Sequence, residues 1–191
     1  VGLIGESGSG KSTLVNILAG LQAPSEGKVI YHAGNSECSP REFLLKIGYV
    51  PQDVYVINAS LAENIAIGVP LSSIDFDYIS LLCSRLLLDK ILDGKSPSDV
   101  LLNARSTDIS GGQRARIGLA RALYRKPEVL ILDEITSSLD SDTSKIVLKN
   151  MFDLLPDATI TIMNAHKLED LETFDKVYRV NELDIVSVDM L

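Results

Sequence analysis

Residues 1–20 read VGLIGESGSGKSTLVNILAG, and residues 5–12 within them fit the pattern G-x-x-x-x-G-K-[ST]. Before the pattern, VGLIG reads as the end of a buried strand; after it, KSTLVNILA reads as a helix stopped by Gly20. A strand, a glycine-rich loop and a helix in that order present backbone N–H groups and the positive end of a helix dipole to an anion. Gly5, Gly8 and Gly10 let the backbone curl around phosphates, Lys11 sets a positive charge against the outer ones, and the Ser12 hydroxyl can ligate Mg²⁺. The complete pattern in this setting sets the loop apart from a chance glycine-rich turn.

Working outward, the 191 residues suit one domain with a sizeable core, and 46% hydrophobic with 5% aromatic residues is ordinary for an α/β globule. The formal charge of −8 argues against a nucleic-acid platform, which shows a basic face. Cys38 and Cys83 lie far apart with no Cys/His cluster, so no disulfide framework or zinc site is expected, and a reducing cytosolic setting fits. His32 reads as an ordinary structural residue. Apolar runs such as LLCSRLLLDKIL are broken well short of a membrane span, and no signal peptide is visible. Val1 stands where an initiator Met would be and is already inside a strand, so the chain is expected to be an N-terminally truncated fragment of a longer polypeptide.

Further along, a short strand is expected at residues 28–31, a helix from Ser39 and Pro40, and the strand IGYV ending at Pro51 and Gln52. Ser60 and Glu63 form a capping box opening a helix, and residues 75–93 read as one longer helical stretch. A Gly-Gly turn at Gly111 and Gly112 then opens a helix bearing Arg114, Arg116, Arg121 and Arg125, a row that by itself reads as a solvated face. EVLILDE is a fully apolar strand ending in two acids, DSDTSKIVLKNMFDLL is helical, ATITIMNAH is a strand ending at His166, and KVYRV and DIVSV are short strands. Strands separated by helices predict an α/β fold, a phosphate-loop core with a parallel sheet flanked by helices and an inserted helical lobe at about residues 53–126.

Asp133 ends its strand where the second Mg²⁺-directed group of phosphate-loop enzymes belongs, and Glu134 follows it. Alone, such a pair would read as acids capping a strand end. Beside a phosphate loop, one can orient a metal through water while the other polarises the attacking water.

GESGSGKST, VPQDVYVINASLAENIAIG, ISGGQRARIGLARAL, LILDEITSSLD and NAH, in that order, resemble the nucleotide-binding domain of an ATP-binding cassette (ABC) transporter, most closely the exporter type. The Ser-Gly-Gly-Gln turn separates that family from other phosphate-loop proteins, and the likeness covers nearly the whole chain. The resemblance implies that ATP is held by Gly5, Glu6, Ser7, Gly8, Ser9, Gly10, Lys11, Ser12 and Thr13, and Mg²⁺ by Ser12, Gln52 and Asp133. Lys11, Gln52, Glu134 as general base and His166 against the γ-phosphate would carry hydrolysis, and Gln52 would also link to the membrane domain. It implies a head-to-tail dimer in which Ser110, Gly111, Gly112 and Gln113 close over the partner's ATP, with Asp140 at the dimer seam. The expected partner is a transmembrane domain on the same polypeptide, the expected place is the cytoplasmic face of a membrane, and the expected function is ATP hydrolysis that powers export.

Three features depart from that pattern. Ile109 stands where the family usually has Leu, residues 103–108 (NARSTD) replace its Gly-Glu-x-Gly approach to the turn, and the upstream strands with the adenine-stacking aromatic are absent from this sequence. A soluble cassette ATPase of DNA repair or translation is the alternative, but the repair type carries a long coiled coil between the phosphate loop and the Ser-Gly-Gly-Gln turn, and no sustained heptads occur here. A GTPase or small-molecule kinase with the same loop is a further alternative, but a GTPase would show an Asn-Lys-x-Asp guanine reader, which is missing, and neither class explains residues 110–113; intact Lys11, Gln52, Glu134 and His166 argue against a degenerate ATP clamp.

Overall fold

A computed structural model describes residues 1–33, 36–103, 109–181 and 184–188. Along the chain run β1 (Gly2–Ile4), α1 (Lys11–Leu18), β2 (Tyr31–Ala33), β3 (Ser36–Cys38), α2 (Pro40–Leu44), β4 (Ile47–Val50), α3 (Leu61–Ile65), α4 (Phe76–Arg85) and α5 (Asp89–Leu92). They are followed by α6 (Gly111–Tyr124), β5 (Val129–Asp133), α7 (Ser141–Leu154), β6 (Ile160–Asn164), β7 (Val177–Asn181) and β8 (Asp184–Val188). The chain divides into two compact units, residues 1–49 with 127–134 and 158–191, and residues 50–126 with 135–157.

The first unit is built on a six-stranded sheet in the order β4-β5-β6-β1-β7-β8. β5 with β6, β6 with β1 and β1 with β7 run parallel; β8 closes the edge antiparallel to β7. Parallel strands covered on their faces read as unbroken apolar runs, and every residue of β5 is buried. Leu3, Val15, Ala19, Val129, Ile131 and Val180 form its core. This sheet sends the loop after β1 and the acids after β5 to the same carboxyl-end rim, where α/β sheets place their ligands.

The strand expected at residues 28–31 lies elsewhere: β2 begins only at Tyr31 and pairs with β3, Tyr31 opposite Cys38. The Tyr31 ring stacks on Phe43 of α2 with centroids 3.9 Å apart, and that contact, invisible to local periodicity, places the hairpin. The capping box predicted at Ser60 and Glu63 is present, and a second, at Ser39 and Glu42, opens α2.

The second unit is helical, with Leu61, Ile65, Ile79, Leu82, Leu88, Ile117, Leu119 and Leu123 fully buried. The continuous helix expected over residues 75–93 is broken, because Leu87 adopts a left-handed φ of 57° between α4 and α5. Its cause is visible on α6. The Arg116 guanidinium donates to the carbonyls of Leu86 and Leu87 at the break, which a continuing helix would have used itself. Arg121 likewise donates to Asn64 and Tyr55 carbonyls at 2.8 and 2.9 Å, and Arg125 to Ile67 at 2.8 Å. Arg116 and Arg121, half-buried, are therefore struts within the unit rather than parts of a solvated face, while Arg125 makes its bond from an exposed position. Burial pulls the guanidinium pKa down at Arg116 and Arg121, and Asp140 partly restores it at Arg116. Cys83 is buried and desolvation pushes its thiol up to about 12, so it stays an inert thiol. Of the departures noted above, Ile109 is buried, whereas residues 104–108 of NARSTD lie outside the described residues.

Candidate functional site

The loop after β1 closes on its own lysine. Lys11, only 4% exposed, donates through Nζ to the carbonyls of Gly5 at 2.8 Å and Glu6 at 2.7 Å, with Ser9 Oγ at 3.4 Å. Gly10, with φ 92°, turns the chain into α1. A Cβ on Gly5 would stand 2.3 Å from the Val180 carbonyl oxygen, so that glycine is dictated by packing against β7, whereas Gly8 and Gly10 face open space. Glu6, Ser7, Gly8, Ser12 and Thr13 are exposed along the rim and Ser9 is half-buried.

Helix α1 is unlike the other helices of eight or more residues. Among the described residues, α4, α6 and α7 have a side chain bonded to a first-turn N–H, from Asp75, Ser110 and Asp140; Gly10 gives α1 none. The first-turn amides of α1 and the positive end of its dipole are thus left for an anion.

Asp133 and Glu134 stand at the end of β5. Asp133 is 6% exposed, and its Oδ1 accepts from Asn164 Nδ2 at 2.6 Å and from Ser12 Oγ at 3.5 Å, which ties the strand end to the phosphate loop. Glu134 holds a left-handed φ of 54°, a conformation costly to a residue with a Cβ, and its N–H donates to the Asn164 carbonyl at 3.0 Å. Its Oε1 lies 2.8 Å from Nε2 of His166. Tyr49 stands nearby, donating to Asn16 Oδ1 at 3.2 Å, and burial followed by the Asp133 charge pushes its hydroxyl pKa up. The structure thus gathers Lys11, Ser12, Asp133, Glu134 and His166 within the first unit. Asn164 and Tyr49 were not singled out in the sequence. For Asn164 the signal was an amide closing the mostly apolar strand ITIM.

Gln52, Ser110, Gly111, Gly112, Gln113 and Asp140 belong to the second unit. Ser110 and Gln113 cap α6 reciprocally, Ser110 Oγ accepting from Gln113 N–H at 3.2 Å and Gln113 Oε1 accepting from Ser110 N–H at 2.8 Å. The spacing S-x-x-Q is a capping box legible in the sequence, though it went unread there beside the phosphate-binding role. Asp140 caps α7, accepting from Thr143 N–H at 2.9 Å and Oγ1 at 2.7 Å. Ser110, Gly112, Arg116, Ser138 and Asp140 line a cavity of about 470 Å³. Gln52 is exposed directly after Pro51.

These residues fit a magnesium nucleotide. The uncapped amides of α1, the open ground at Gly8 and Gly10, and the buried Lys11 ammonium suit phosphate. Among the described residues no group of three or more His, Cys, Asp or Glu could hold a metal alone. One hydroxyl and one carboxylate suit a hard cation that takes phosphate and water oxygens for the rest of its shell, as Mg²⁺ does. No helix among the described residues is long and apolar enough to cross a membrane.

Comparison with known proteins agrees with this geometry. The family described as ABC transporter matches residues 1–137. The leukotoxin translocation ATP-binding protein LktB of Pasteurella haemolytica-like sp. (strain 5943B) is 34% identical over 188 residues, covering 97% of this chain and 26% of that protein. The ATP-dependent lipid A-core flippase of Ralstonia nicotianae (strain ATCC BAA-1114 / GMI1000) is 33% identical over 189 residues, covering 97% of this chain and 32% of its own length. A bacterial Atm1-family ABC exporter solved with ATP bound superposes with a TM-score of 0.80 at 26% identity, over 95% of this chain and 32% of that one. The chain therefore spans between a quarter and a third of the length of these relatives. With its α/β phosphate-loop fold and a match across most of its length, the chain belongs to the ABC transporter family.

Proposed function

We propose that the chain is the ATP-binding and ATP-hydrolysing domain that powers export across a membrane, acting through a transmembrane domain of a longer polypeptide. The observation that carries this reading is Glu134, strained at the end of β5 and held at Oε1 by His166, on the same rim as the phosphate loop. Strain kept at one carboxylate suits a group placed for chemistry rather than for packing. The names of the relatives, a leukotoxin translocation protein and a lipid A-core flippase, support export over a soluble ATPase.

In this reading the loop of residues 5–13 wraps the phosphates, and Lys11 turns its ammonium from the Gly5 and Glu6 carbonyls to the outer ones. Ser12, Gln52 and, through water, Asp133 would hold Mg²⁺, which would supply charge neutralisation of the triphosphate. Glu134 accepts the proton of the attacking water while His166 fixes the carboxylate and reaches the γ-phosphate. Two chains pair head to tail, so that the amides of Gly111 and Gly112, with Ser110, Gln113 and Asp140, meet the partner's nucleotide at the cytoplasmic face of the membrane.

Two measurements on the intact protein test this. Glu134→Gln keeps shape and removes the base, so hydrolysis falls by roughly 10²- to 10⁴-fold while ATP still binds. Unchanged turnover sinks the assignment. The intact protein should also stay with the membrane after an alkaline wash, and recovery in the wash supports the soluble alternative.

A further inference from the structure

Asn164 closes β6 in register with Asp133 on β5, fully buried between the apolar Met163 and Ala165. Its side chain is half used. Nδ2 donates to Asp133 Oδ1 at 2.6 Å, while Oδ1, equally buried, has no hydrogen-bond partner among the described residues. An unpartnered buried acceptor costs free energy that an apolar side chain of similar size would not. Turning the amide over does not help, since it would set its oxygen against a carboxylate oxygen at the same 2.6 Å, acceptor against acceptor. The packing of the strand therefore has no need of an amide here. Only Asp133 gains from it.

We propose that Asn164 is a positioning residue for Asp133. Its Nδ2–H and the Ser12 hydroxyl both point at Oδ1, fixing the plane of the carboxylate and reserving Oδ2 for a water on Mg²⁺. The proposal rests on the magnesium-nucleotide reading of the site. Through its main chain the same residue also holds the N–H of Glu134, so one position sets both acids, but only the side-chain bond is removed by substitution.

This reasoning separates stability from metal binding. Asn164→Leu and Asn164→Val, made in the intact protein, remove the orphaned acceptor and also the Nδ2–H bond to the buried Asp133 carboxylate, two effects of opposite sign, so each should fold and melt within roughly 5 °C of the unsubstituted protein without Mg²⁺. The Mg²⁺ concentration that half-saturates the thermal upshift of protein loaded with a non-hydrolysable ATP analogue should rise by roughly 10- to 100-fold. That readout needs no turnover. If both variants fail to fold or melt more than about 10 °C lower, the amide serves the fold and the proposal is overturned. It is equally overturned if the Mg²⁺ midpoint does not move. Absence of any Mg²⁺-dependent upshift in the unsubstituted protein contradicts the functional reading itself, which distinguishes the two failures.

Discussion

His166 Nε2 stands 2.8 Å from Glu134 Oε1, across the gap between the residues that follow β6 and β5. The glutamate side chain is nearly buried and the histidine about half exposed, so the histidine reaches outward past the carboxylate it holds. His166→Ala frees Glu134 to rotate. Steady-state hydrolysis should fall by roughly 10²-fold, as a misplaced catalytic group does, while ATP affinity measured by equilibrium titration changes little. An unchanged rate means that the contact is incidental.

The left-handed backbone of Glu134 gives a second expectation. Both Glu134→Ala and Glu134→Gly lose the carboxylate and should lose hydrolysis. Glycine adopts the conformation without strain, so Glu134→Gly should be the more stable of the two by about 1 kcal/mol in chemical denaturation. Equal stability, or a more stable alanine variant, argues that no strain is stored there.

Glycines of the two phosphate-directed turns should differ in tolerance. A Cβ on Gly5 meets the Val180 carbonyl at 2.3 Å and one on Gly112 meets Leu139 Cδ2 at 2.7 Å and Ser138 O at 2.9 Å, whereas on Gly111 the nearest neighbour is Ser138 Cβ at 3.3 Å. Gly5→Ala and Gly112→Ala should each destabilise by at least ~2 kcal/mol, as overpacking against fixed backbone does, and Gly111→Ala by less than about 1 kcal/mol. Melting curves of the three variants order them.

Asp140 gives a pH signature. Hydrogen bonds from the Thr143 N–H and hydroxyl hold its carboxyl below the ordinary 3.8, so its contribution to stability is complete above that value and is lost as pH falls through the lower folded-state value. The stability difference between the unsubstituted protein and Asp140→Asn should therefore be constant near neutrality and change only in acid. A difference that varies between pH 6 and 8 contradicts this cause.

Much of this was legible because local chemistry carried it. Residues 5–12, the run EVLILDE and the box at Ser60 and Glu63 each combine a period with its own stop signal, and each lies where the sequence puts it. What escaped depended on distant partners. A leucine in the left-handed region is disfavoured locally, so the break at Leu87 follows from Arg116, 29 residues later. The hairpin from Tyr31 is placed by Phe43, and Asn164 gains meaning only when β6 comes to lie beside β5. Each is a tertiary override of a local preference.

The central claim, that the Ser-Gly-Gly-Gln turn of one chain completes the phosphate loop of another, is tested by complementation. Lys11→Ala damages the loop, and Gly111→Asp sets a carboxylate against an incoming γ-phosphate. Gly111 is the first residue of α6 with no positive φ and a tolerable neighbour, so an aspartate there is compatible with the fold. The two variants of the intact protein are co-expressed with different tags, and ATP hydrolysis is measured on dimers purified through both. Head-to-tail sites gather both lesions into one site and leave the other whole, so the mixed dimer should hydrolyse ATP well above either inactive homodimer. If each turn serves its own chain, every site keeps a lesion, and a mixed dimer no more active than the homodimers contradicts the account.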